Sequence, residues 1–153
     1  MTGLKLKFEL LWLLITALLL SIVLLPIQKN IPVYPFWTSN IVFIVVFATL
    51  FRLIFFLKHS LIAKLQYLKI ALVLAMIPLV FYMIGEINYF QTYLDERGVD
   101  TFLGHLNDPK QTFMDNYIRS EMLFFGTAAV ISAMIIPFRL VISVWRTRNR
   151  GTA

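Results

Sequence analysis

The sequence predicts an all-α integral membrane protein, with four transmembrane helices in an up-down-up-down bundle and the fourth helix extended outside the membrane. Three observations carry that reading. Hydrophobic residues fill 59% of the 153 positions and charged residues only 14%, with a mean hydropathy of +0.80, well away from the composition of water-soluble domains. The apolar residues gather into four runs, over 8–27, 38–57, 70–90 and 119–142, each near the ~20 residues that cross ~30 Å of hydrocarbon as helix. The basic residues cluster at the ends of those runs, where Lys and Arg report topology. One four-span domain over 1–153 follows. The formal charge of +6 belongs to that topological pattern, so nucleic acid is not expected as a partner.

Lys5 and Lys7 precede the first run, which looks like a signal peptide except that no small-x-small site follows it, so a retained span is expected. Glu9 lies one turn into that helix, where an acid complements the positive end of the macrodipole, and Trp12 sits near the interface. Pro26, Pro32 and Pro35, with Gln28, Lys29 and Asn30, predict a break and a short exposed connection. Phe36 and Trp37 anchor its far end, and Thr38, Ser39 or Asn40 can cap the second helix.

Arg52 falls inside the second run, and its stem is long enough to snorkel to the interface near Lys58; a cation closing a site between helices is the alternative. The linker 58–69 carries Lys58, His59, Lys64 and Lys69 with no acid, interleaved with Leu61, Ile62, Leu65 and Leu68 at helical spacing. Such a segment suits an anionic leaflet. Pro78 should kink the third span.

The segment 91–118 is the sizeable part outside the bilayer. A short helix is expected over about 99–106, and Asp108, Pro109 and Gln111 have the pattern of a capping box opening the fourth helix. That helix should project two or three turns before entering the membrane. Gly126, Ala129, Ser132 and Ala133 form a strip of small residues on it, suited either to packing inside the bundle or to a partner's helix. Pro137 should end or bend it near Arg139, leaving a basic tail with Trp145, Arg146, Arg148 and Arg150.

Placing both termini and the 58–69 linker on one face gives that face ten of the fourteen basic residues. The other face keeps Lys29, Arg97, Lys110 and Arg119 with six acids. The positive-inside rule then puts both termini in the cytoplasm, as in a bacterial inner membrane protein.

The most pointed chemistry in the apolar runs is Glu86, with Tyr82 and Tyr89 at helical spacing and Arg119 as the expected counter-ion. A structural clamp and a proton- or cation-binding carboxylate are the two uses of such a group. Lys58, Lys64, Lys69, Arg146, Arg148 and Arg150 are expected to contact anionic lipid. Zero cysteines, and two histidines that both lie outside the runs, argue against haem, di-iron and thiolate chemistry. No HExxH, phosphate loop or nucleophile elbow is present. No enzyme, cofactor or metal is therefore expected; the lone His105 among loop acids is read as solvated. A non-catalytic subunit or accessory protein of a larger membrane assembly is the leading expectation, held by the small-residue strip and by 91–118, or associating with itself. A small oligomeric proton- or cation-coupled transporter or channel using Glu86 is the alternative.

Overall fold

The computed structural model of the protein describes residues 2–149, with the side chains of residues 2, 61 and 64 left aside. Two of the expected lipid contacts, Arg150 and the Lys64 side chain, lie outside the described residues. The described chain is helical, without strands: α1 (Thr2–Asn30), α2 (Trp37–Phe56), α3 (Gln66–Arg97), the single turn α4 (Asp100–Leu103) and α5 (Asp108–Asn149). Two 3₁₀ turns, Leu57–His59 and Leu61–Lys64, join α2 to α3. All four long helices are long and apolar enough to cross a membrane.

α5 is the central helix and packs along both α2 and α3, while α1 leans mainly on α2. The reason lies in the residue pattern. α5 buries Met114, Ile118, Met122, Phe125, Ala129, Ala133, Ile136 and Leu140 on a broad face that two neighbours can share. α3 buries a narrow seam, Lys69, Met76, Met83 and Phe90, each seven residues from the last, with Leu94 one turn on, and packs chiefly on α5. The rest of α3 and most of α1 carry apolar residues outward: only 11% of the most hydrophobic window of each is buried, against 44% for α2. Such outward Leu, Ile and Phe side chains are stable in hydrocarbon but would be costly in water.

The helix boundaries depart from expectation at the prolines. α1 runs through Pro26 to Asn30, α3 through Pro78 and α5 through Pro137 to Asn149, so the expected break, and the expected tail after residue 142, are both helix. A proline removes one donor, and neighbouring groups can compensate. Near Pro26, Asn30 Nδ2 donates to the Pro26 carbonyl at 2.7 Å, and the chain leaves the helix only where Ile31 precedes Pro32.

The linker forms two tight turns instead of a continuous amphipathic segment, because the buried Ser60 turns extended and accepts the Ile62 N–H on its hydroxyl at 3.3 Å. The short helix of the outer segment is one turn, not two. The capping box does not form: the Asn107 carbonyl accepts from the N–H groups of Lys110 and Gln111, and the Gln111 amide reaches across to Asp100, tying α4 to α5. Gly98 ends α3 at φ 69 and ψ 172, a region that only glycine enters without strain.

Side-chain contacts gather the helix ends. Lys5 reaches the Ser60 carbonyl, and Arg139 that of Ile54, at the end carrying the described termini. At the other end His105 Nε2 donates to the Asn30 carbonyl at 2.8 Å, satisfying the last turn of α1. Tyr117 donates to the Val23 carbonyl at 2.8 Å there. The segment 31–36 is closed by rings: Tyr34 meets Trp37 and Phe102 edge-on, and Phe36 meets Phe90 and Tyr93.

Candidate functional site

The polar groups of the interior collect at the two ends of α2. Ser39 and Asn40, expected as caps, take no part in capping: the residue flanking α2 is Phe36, which makes no side-chain cap bond. Both side chains are buried in the first turn and turn to carboxylates on other helices instead. Ser39 Oγ donates to Glu86 of α3, and Asn40 Nδ2 donates to Glu121 of α5. Burial decides this, since a carboxylate inside the bundle loses far more without a donor than a helix terminus that can wait for water or lipid headgroups.

The α2 terminus itself adds to the effect. Its first N–H groups lack intrahelical acceptors and carry the positive end of the macrodipole, so two carboxylates gather where negative charge is favoured.

The expected cluster around Glu86 is thereby rearranged. Arg119 does not clamp Glu86: it pairs with Asp115 one turn away on its own helix, at 2.7 Å, because an i,i+4 partner on the same face is already in reach. Tyr82 and Tyr89 stand exposed on the outward face of α3, at 43% and 58% accessibility, and Glu86 is half-buried between helices.

Glu121 is the more enclosed carboxylate, and sequence reasoning passed over it. It is 7% exposed, Asn40 is fully buried, and Tyr34 is buried beside them at 4%. Among the described residues three oxygens here have no hydrogen-bond partner: Glu121 Oε2, Asn40 Oδ1 and the Tyr34 hydroxyl. Burial, reinforced by the negative field of Glu121, pushes the Tyr34 phenol well above its ordinary range, so it stays a neutral donor. The signal available in the sequence was Glu121 directly abutting the apolar run, three residues after an Ile and next to Met122. Counted only among the six acids of the outer face, it has no role in the sequence pattern, where Arg119 is matched to Glu86.

The other end of α2 is arranged with the opposite sign. Arg52 does not snorkel: it forms an ion pair with Glu9 of α1, whose second oxygen accepts from Ser60 Oγ at 3.0 Å. Trp12 of the same helix donates its indole N–H to the Ala48 carbonyl at 3.0 Å. Glu9 thus serves as the counter-ion of Arg52, a role that its position near the helix start hides.

The small-residue strip is taken up inside the chain. Ala129 and Ala133 are fully buried and Ser132 nearly so; a Cβ on Gly126 would lie 3.0 Å from Ile87 of α3 and 3.2 Å from Phe43 of α2. These residues let α5 sit between two helices, and they present no face to a further partner.

Of the cations expected to touch lipid, Lys58, Arg146 and Arg148 are exposed, whereas Lys69 is 1% exposed. Its ammonium donates to the Ala63 carbonyl at 2.7 Å and to Ser143 Oγ at 3.0 Å. Lys69 therefore ties the linker to α5 rather than facing a leaflet. Among the described residues no three metal-ligating side chains come together. No protein-family model, curated protein or solved structure matches the chain.

Proposed function

We propose that the protein is a non-catalytic subunit or accessory protein of a larger assembly in a bacterial inner membrane, its four spans running up-down-up-down with both termini cytoplasmic. The ten-to-four split of basic residues supports that orientation. The outer segment 91–118 and the outward face of α3 are the contact surfaces in this reading; the strip on α5, being buried, is not. One observation carries it. On α3 the exposed Tyr82, Gly85, Asn88 and Tyr89 share one outward face, and nothing lies within 4 Å of the Cβ position of Gly85. A glycine open on that side, bordered by rings and an amide, admits a neighbouring helix at close range.

The test is co-purification of the tagged full chain from native membranes. Wild type should retain a partner chain, or a second copy of itself, and Gly85→Leu should lose it with no loss of its own thermal stability. Recovery of this chain alone, as a monomer, would end the proposal.

The buried trio of Tyr34, Asn40 and Glu121 supports a second reading, a proton- or cation-coupled transporter or channel acting as an oligomer. Its carboxylate is then Glu121 in preference to Glu86. In reconstituted vesicles Glu121→Gln should abolish coupled flux and Glu86→Gln should reduce it, both variants inserting normally; undiminished flux in Glu121→Gln would exclude this use of the site.

A further inference from the structure

A cavity of about 280 Å³ opens at the end of the bundle that carries the described termini, between the turns after α2 and the last part of α5. Lys58, Arg139 and Arg146 line it together with the hydroxyl residues Ser143 and Thr147. Arg139 is fixed in place by its Nε, which donates to the Ile54 carbonyl at 2.9 Å. Ser143 accepts from the buried Lys69 ammonium, so a fourth cation stands directly behind the wall.

Among the described residues no carboxylate answers them. Asp and Glu are absent from residues 10–85 and from 122–153, and Glu9, the one acid at this end, is bonded to Arg52 and Ser60. Three cations around one cavity, Arg139 half-buried and Lys58 and Arg146 exposed, repel one another and leave N–H donors free for an anion with several oxygens.

We propose that this cavity binds a phosphate group. Its oxygens would accept from the guanidinium groups of Arg139 and Arg146, from Lys58 and from the Thr147 hydroxyl. The volume lies just under the ~300 Å³ at which pockets for drug-sized ligands begin, and so suits a headgroup or a small phosphate ester. Two sources share that chemistry: an anionic phospholipid, whose chains could follow the exposed Phe138 and Ile142 along α5, and a phosphate ester in solution. Site and ligand are independent of the partner proposed above.

The test uses the purified full chain. Native mass spectrometry after incubation with equimolar phosphatidylglycerol and phosphatidylcholine should show preferential retention of the anionic lipid by about tenfold. In the double variant Lys58→Gln/Arg146→Gln, two exposed positions whose change leaves the fold intact, the preference should fall to near parity, and Lys58→Arg/Arg146→Lys should keep most of it. In a parallel arm, lipid-free protein is heated in detergent with millimolar inorganic phosphate, or with chloride at matched ionic strength. A stabilisation by phosphate that the double Gln variant loses, without any lipid preference, assigns the site to a soluble ester. Equal retention of the two lipids with no phosphate effect overturns the proposal, as does any preference or stabilisation that survives intact in the double Gln variant.

Discussion

The two ends of α2 solve the same problem, a carboxylate packed between apolar helices, by different means. At the C-terminal end Glu9 has a cation, Arg52, with Ser60 on its second oxygen. At the N-terminal end Glu86 and Glu121 have neutral donors, Ser39 and Asn40, beside the positive end of the helix dipole, and Arg119, the expected counter-ion, has turned to Asp115. The difference teaches which acid is bound to a structural role. A carboxylate matched by a buried cation cannot change its charge without stranding that cation, whereas one held by an amide and a dipole can. Glu9 is therefore fixed by Arg52, and Glu121 is the group whose charge the fold leaves open.

The comparison breaks most severely at Arg52. Replacing it with leucine strips Glu9 of its counter-ion while α1 still holds the carboxylate against α2, and loss of one partner of a buried pair costs about 3–5 kcal/mol. An SDS-unfolding titration in mixed micelles should show that loss for Arg52→Leu, and the double change Glu9→Leu/Arg52→Leu should recover most of it. A single variant as stable as wild type would mean that Glu9 and Arg52 are each solvated and that the contrast between the two ends is empty.

Asn40→Leu comes next. It leaves Glu121 inside the bundle with no side-chain donor, and a buried acceptor without its hydrogen bond costs about 1–3 kcal/mol. The same titration should place it between wild type and Arg52→Leu. If Asn40→Leu were the more damaging of the two, the amide would be holding a full charge and the two carboxylates would be alike.

These side chains also mark where the sequence was legible. The four long apolar helices could be read from hydropathy alone, because runs of ~20 apolar residues have few uses other than a membrane-crossing helix. Arg52 stood out for the same reason, as a charge inside such a run. Its partner did not: Glu9 lies 43 residues earlier, and nothing in local periodicity says that two helices meet at those positions. Ser39 and Asn40 were read as caps because capping is a local rule; the competing demand came from α3 and α5, and burial outweighed the local preference. Glu121 was hidden by its place at the edge of the fourth apolar run, while Arg119, expected as the counter-ion of Glu86, pairs with Asp115 one turn away instead. The strip at Gly126, Ala129 and Ala133 was visible as a close-approach surface. That Gly126 is met by Ile87 and Phe43 of the same chain depends on where α3 and α2 lie, which spacing on α5 cannot express.

The smallest effect is the most discriminating. Glu121→Gln keeps the size and shape of the side chain and retains a carbonyl oxygen to accept from Asn40 Nδ2. It also places an NH₂ group where Glu121 Oε2 now has no partner, next to an Asn40 whose Oδ1 likewise has none among the described residues. An amide facing an amide can satisfy both, so the variant should unfold within about 1 kcal/mol of wild type, the scale of a single exchanged hydrogen bond. Glu9→Gln should be markedly worse, since it removes the charge that Arg52 requires. Equal losses in the two Gln variants would show that Glu121 too is held by a cation, and the distinction between a fixed and an open carboxylate would fall.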